Sequence, residues 1–363
     1  MTLFQQELET LQSSPNVYAA GEGELADKLT ALGLAPRAGV SANGTWYTTV
    51  RDLNTSSYVL VYSDLVASQG SIVVADTRTP SFLNPWTGAQ SPVFIYEQTN
   101  TTTTIPLSLA GNQTAIIQLG DVEPLSGTSN YHIVAAPDNV LSAESTETGQ
   151  VSLQIAKSAS DTEATMSDGS TCALGGSNVP ATFSMQNWTL IAEHWEAPAN
   201  LSETLPTSKR NTTHYLPELL SWSEILKLVN ASGLGYYIAQ FQWPPADVTA
   251  NGTAELGATI SFGRLLHYAR VTINGQQLPP LDPANAVATI TPYLSQGENK
   301  VQAIVPTTMW NYLRTILPDL RSAGQVPLLV TVGEQLGLSA SSITDDSGLF
   351  AEVLVTPFMA VTC

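Results

Sequence analysis

The 363-residue sequence predicts an all-β protein: two antiparallel β-sandwich domains preceded by a short helical segment. Three observations carry this. Runs of about 5 to 8 residues with apolar side chains at alternate positions recur along the chain. Clusters of Asn, Gly, Pro and Ser separate them at the spacing of a sandwich. No strand–helix–strand alternation appears, which disfavours a parallel-sheet enzyme core.

Residues 1–40 hold the clearest helical spacing, Leu3, Phe4, Leu8, Leu11 and then Leu25, Leu29, Leu32, and the period changes after Gly33 and Pro36. Residues 41–180 read as the first sandwich. Its strands are WYTTV, SYVLVYS, SIVVAD, PVFIYEQ, TTIPLSL and TAIIQLG, and the weaker stretch Leu125 to Val179 forms its end and a connection. Residues 181–363 read as the second. It begins at FSMQNWTLIAEHWEAP, passes a short helix or turn at LPELLSWSEILKLVN, and continues through YYIAQFQWP, AELGATISFG, YARVTINGQQL, AVATITPYL, NKVQAIV, LLVTVGEQ and AEVLVTPF. Asn274-Gly275 after Val271 and Ile273 marks a tight hairpin, because both residues tolerate positive φ.

A formal charge of −18 opposes phosphate backbones and excludes nucleic acid as a partner. No apolar run of about 18 residues occurs, so no membrane span is expected. Asn-x-Ser/Thr acceptors begin at Asn43, Asn54, Asn100, Asn112, Asn187, Asn200, Asn211, Asn230 and Asn251. They exceed what the chain's Ser/Thr richness supplies by chance and point to a secreted glycoprotein with those segments exposed. Cys172 and Cys363 are compatible with one disulfide. The start, MTLFQQELETLQSSPN, has neither a basic region nor an apolar core of a signal peptide, so the true N-terminus is expected upstream.

The stretches GLGYYIAQFQWPP, ATISFGRLLHYARVTINGQQLPPL and ATITPYLSQGENKVQAIV resemble the galactose-binding-like jelly roll of large glycoside hydrolases, family 2 enzymes among them. With LTALGLAPR, TWYTTVRDLNTSSYVLVYSD and NPWTG, most of residues 25–358 resembles the C-terminal portion of fungal secreted proteins related to family 106 α-L-rhamnosidases. The resemblance implies a catalytic barrel N-terminal to these sandwiches. A barrel needs on the order of 200 residues, so no catalytic residue is carried over. The expected function is a C-terminal accessory portion of a secreted α-L-rhamnosidase-like glycoside hydrolase acting on plant or cell-wall polysaccharide, inactive without the barrel. Its expected partners are carbohydrate and that upstream domain. A stand-alone lectin-like module is the alternative, and a shortened product that has lost the function is a third.

Glycoside hydrolysis needs two carboxyl groups, one held protonated. Glu193 and Glu196 flank Trp195, but strand alternation splits them onto opposite faces, so surface carboxylates are expected. Asp282 is a loop candidate for ligand contact, with a turn aspartate bonded to its own backbone as the favoured reading. His132, His194, His214 and His267 show no metal-ligand spacing. Asp345 and Asp346 are the candidates for a structural Ca²⁺, without a recognisable loop, and no other cofactor is expected. Gly233 and Gly235 read as turn glycines rather than a nucleotide loop. Aromatic side chains offer flat apolar faces to sugar C–H groups. Trp195, Trp222, Tyr236, Trp243 and Trp310 are the candidates, although Tyr237, Phe241 and Trp243 alternate with apolar neighbours, so some of them are core.

Overall fold

A computed structural model describes residues 3–120, 132–146, 148–176, 178–198, 200, 208–245, 256–322 and 344–363. It is all-β with short helices, and every strand pair in its five sheets is antiparallel. In the first sandwich a four-stranded sheet, in the order Ala38–Ala42, Ser68–Val74, Thr103–Leu109 and Glu97–Gln98, packs on a five-stranded one. The latter runs Trp46–Leu53, Ser56–Ser63, Thr114–Leu119, Pro80–Leu83 and Gln90–Pro92. Alternation places Val59, Val61, Ile72, Ile105 and Ile117 between the sheets, fully buried. PVFIYEQ is not one strand: it splits into Gln90–Pro92 and Glu97–Gln98, and Val93, Phe94 and Tyr96 turn inward between them.

Residues 132–176 have their own core, where sequence reading had placed the end of the first sandwich. Strands Ile133–Ala135, Thr162–Met166 and Thr171–Gly175 cover Val151, Leu153 and Ile155 around Met166 and Leu174. The reason is the last strand, Leu354–Thr362. Its first half pairs with Leu256–Ser261 and its end pairs with Val151–Ile155, so one strand serves two cores.

The second sandwich sets this shared sheet against a six-stranded sheet. The order of the latter is Ser208–Leu216, Trp188–Glu196, Gly233–Trp243, Gly297–Pro306, Arg270–Ile273 and Gln276–Gln277. Its inner face carries Trp188, Leu190, Tyr237, Ala239, Val301 and Val271. The Asn274-Gly275 turn forms as expected, with φ of 52° and 82° and Ile273 opposite Gln276. Asn274 also ties the hairpin down: its Nδ2 donates to the fully buried Asn299 Oδ1 at 2.7 Å, and its Oδ1 accepts from the Lys300 N–H at 2.9 Å.

Helices occupy Leu3–Gln12, Leu25–Ala31 and Trp310–Ser322. On the first two, Phe4, Leu8, Leu11, Leu25, Leu29 and Leu32 recur on one face, and all are exposed, Phe4 at 71%. The third was not expected from sequence. The Trp222 region is a 3₁₀ turn, Trp222–Glu224, closed by a Ser221–Glu224 capping box. The expected strand LLVTVGEQ lies outside the described residues. Among the described residues, no helix is long and apolar enough to cross a membrane.

Candidate carbohydrate-contacting face

The hairpin of Trp188–Glu196 and Ser208–Leu216 forms one end of the six-stranded sheet, with Glu193 opposite Asn211 and Trp195 opposite Lys209. Alternation sends Ile191, Glu193, Trp195, Lys209, Asn211 and Tyr215 to the outer face and His194, Arg210, Thr212 and His214 to the inner one. On the next strands Tyr236 stands between Ile191 and Ile304, with Leu234 and Ile238 beside it. These five side chains are half-buried, and Tyr215 at the edge is 81% exposed. Two of the expected sugar contacts, Trp195 and Tyr236, therefore share the outer face of the sheet.

Trp195 is held in place. Its Nε1 donates to Glu193 Oε1 at 2.6 Å, the Lys209 ammonium donates to the same oxygen at 3.0 Å, and that ammonium lies 4.8 Å from the indole centroid. The two donors hold the Glu193 carboxyl below its ordinary value, the Trp195 bond contributing most. A carboxylate so stabilised is the opposite of the protonated acid a glycosidase needs. Glu196 lies on the other face and binds Arg210 at 2.9 Å, so the two carboxylates do not form a couple. Below Trp195, Gly233 has φ of 148°, and a Cβ there would sit 1.9 Å from the Glu193 carbonyl oxygen. Gly233 and Gly235 are thus strand residues at a close approach of backbones and rings, not turn glycines as read from sequence.

Helix Trp310–Ser322 abuts this end. Tyr312 accepts from the Ala197 N–H at 2.9 Å and donates its own N–H to Ser232 Oγ, so half-buried Trp310 starts a helix anchored next to Trp195. Trp222 and Trp243 do not reach this face. Trp222 is fully buried and donates to the Tyr237 hydroxyl at 2.8 Å, and Trp243 is a core residue. Burial pushes the Tyr237 hydroxyl up to about 12. Asp282 accepts from its own Ala284 N–H at 2.9 Å and from Gln113 Nε2 of the first sandwich at 3.2 Å. It is a turn aspartate that also joins two domains, far in sequence from the aromatic face.

On the inner side the histidines that look scattered in sequence come together. His194 Nε2 and His214 Nε2 lie 2.8 and 2.9 Å from the one hydroxyl of Thr212. Arg210, which can only donate, is 3.4 Å from His194 Nδ1. His194 Nδ1 is therefore the acceptor, its Nε2–H donates to Thr212, and Thr212 donates to His214. Burial first, then the Arg210 charge, lowers the His194 pKa, and burial first, then Lys227, lowers that of His214. The sequence signal was two facing period-two sets, His194-Glu196 and Arg210-Thr212-His214, which only a cross-strand register makes visible.

A depressed histidine pKa makes the folded state bind fewer protons than the unfolded one below pH 6.5. The contribution is complete above that pH and is lost as pH falls through the folded-state value. Thermal unfolding between pH 7.5 and 5 is expected to show wild-type protein losing stability below pH 6.5 and His194→Gln losing less. Equal slopes would remove His194 as the source.

Among the described residues no three His, Cys, Asp or Glu side chains group as a metal site. Asp346 accepts from the Ser223 hydroxyl, and the Asp345 backbone is held by Asn311. Cys172 and Cys363 are disulfide-bonded. Of the sequon asparagines, Asn43, Asn54, Asn100, Asn187, Asn200, Asn211 and Asn230 are exposed, Asn112 is half-buried, and Asn251 lies outside the described residues.

No protein-family model and no curated protein sequence matches the chain. Among solved structures, a rhamnosidase from Novosphingobium sp. PP1Y aligns with a TM-score of 0.54 and 16% identity over 98% of this chain and 29% of that one. A beta-glycosidase from Bacteroides vulgatus aligns with a TM-score of 0.26 and 15% identity over 49% of this chain and 20% of that one. The chain thus spans under a third of the rhamnosidase's length, and across nearly all of its own length it shares that stretch's fold.

Proposed function

We propose that this chain is the C-terminal accessory β-sandwich portion of a secreted, α-L-rhamnosidase-like glycoside hydrolase, and that it meets carbohydrate on the outer face bearing Trp195 and Tyr236. The observation that carries the reading is the alignment of 98% of the chain with 29% of a rhamnosidase. We place the hydrolytic carboxylates in an upstream catalytic domain, since Glu193 and Glu196 stand on opposite faces of one strand and form no couple. The uncovered apolar rows on Leu3–Gln12 and Leu25–Ala31 supply a surface against which such a domain packs. The exposed sequons support secretion. The sugar-contacting face also supports the lectin-like reading, in which the same surface acts without an attached catalyst.

The full chain made without glycans is expected to leave a chromogenic α-L-rhamnoside unhydrolysed and to be retarded in gels containing rhamnose-rich plant polysaccharide. Trp195→Ala and Tyr236→Ala should each weaken retardation about tenfold, equivalent to about 1.4 kcal/mol. Hydrolysis by the chain alone would overturn the accessory reading. Retardation unchanged in both variants would overturn the assignment of the face.

A further inference from the structure

Asn211 differs from the other described sequon asparagines in where it sits. Asn54 and Asn112 occupy positive-φ turn positions, Asn187 has positive φ just before a strand, Asn43 follows a strand, and Asn100, Asn200 and Asn230 lie in bends or turns. Asn211 stands inside Ser208–Leu216, the terminal strand of the six-stranded sheet, and its exposed side chain points to the outer face. Its direct neighbour across the ladder is Glu193, about 5 Å away, and its diagonal neighbours are Ile191 and Trp195, about 7–8 Å away. Its own ladder row continues through Glu193 to Leu234, and the next row on the same face carries Ile191 and Tyr236. Sugar rings suit this surface, with C–H faces against the indole and aliphatic side chains and hydroxyls toward Glu193 and Lys209.

We propose that Asn211 is N-glycosylated and that its first sugar residues lie across the outer face against Trp195, so that the chain's own glycan controls access to this surface. The reaction joins Asn211 Nδ2 to the anomeric carbon of an oligosaccharide carried on a lipid diphosphate. The bond from that carbon to the diphosphate oxygen breaks, and one amide proton leaves with the lipid diphosphate. The proposal rests on the secreted reading above and adds to it which sugar occupies the face in the mature protein.

The test is expression of the full chain through a eukaryotic secretory pathway, glycopeptide mapping, and hydroxyl-radical footprinting of Trp195. Thr213→Ala removes the Asn211 sequon and keeps the asparagine, and Thr213→Ser keeps the sequon. Asn211 is expected to be occupied, and Trp195 oxidation should rise several-fold in Thr213→Ala but not in Thr213→Ser. Trp86, 46% exposed on the first sandwich, serves as the unchanged control. Trimming the glycan to its first N-acetylglucosamine should leave Trp195 protected, which separates contact by the inner sugar from shading by distal branches. Occupied sequons elsewhere with Asn211 bare would overturn this proposal and leave secretion standing. Bare sequons throughout would overturn both. An occupied Asn211 with equal Trp195 oxidation in wild type and Thr213→Ala would overturn the contact, and so would a rise in Trp195 oxidation on trimming.

Discussion

Replacing Trp222 by alanine is expected to destabilise the second sandwich by about 3–5 kcal/mol, the cost of emptying a large buried aromatic site. Trp222 has no exposed surface, and its indole donates to Tyr237, which is also fully buried. Its surroundings leave little room to collapse. A Cβ at Gly348 would lie 2.7 Å from the indole and one at Gly235 would lie 3.1 Å from it, so both glycines are there to let the ring in. The Trp222 N–H donates to the Ser347 carbonyl, which fastens the last described loop to the turn. Trp222→Phe keeps part of the ring volume and removes the hydrogen bond, and should cost distinctly less. Hydrogen exchange reads the effect by segment. Gly233–Trp243 should lose protection on the order of a thousandfold, and Ser56–Ser63 in the separate first core should keep it. Equal protection in wild type and Trp222→Ala would mean that the indole does not support this core.

The fold was legible where one residue's neighbours decide its conformation. Alternation gave WYTTV, SYVLVYS and YYIAQFQWP, which overlap the observed Trp46–Leu53, Ser56–Ser63 and Gly233–Trp243, and Asn274-Gly275 gave its turn, because pleat and φ are local properties. Features decided by long-range pairing were not legible. Leu354–Thr362 joins two cores, and nothing in its sequence says that its end pairs with Val151–Ile155. Helix Trp310–Ser322 was not read from the sequence. For the site, alternation correctly separated Glu193 from Glu196, and it would have grouped Trp195 with Tyr236 had the strand order been known. Trp222 and Tyr236 look equally available in sequence. Only packing puts one inside the sandwich and the other on its outer face.

Breaking the Cys172–Cys363 bond is expected to affect the two cores of the shared strand unequally. The cysteines are 191 residues apart, and the chain-entropy relation for a loop of that length gives about 5 kcal/mol against complete unfolding. The relevant loop for local opening is shorter. With Phe183 still paired to Val355 in the second sandwich, the bond closes only about 19 residues, worth about 3 kcal/mol. That smaller figure matters more, because the unit over residues 132–176 has a three-stranded sheet and few buried side chains to hold it without a covalent tie. In Cys172→Ser/Cys363→Ser protein, exchange of Thr162–Met166 and Thr171–Gly175 should therefore accelerate on the order of a hundredfold, while Gly233–Trp243 stays protected under native conditions. Uniform acceleration of both regions would show that the two cores open as one unit through their common strand. No change in either would show that packing of Met166 and Leu174 holds the small unit by itself, and would leave the disulfide as a constraint felt only by the fully unfolded chain.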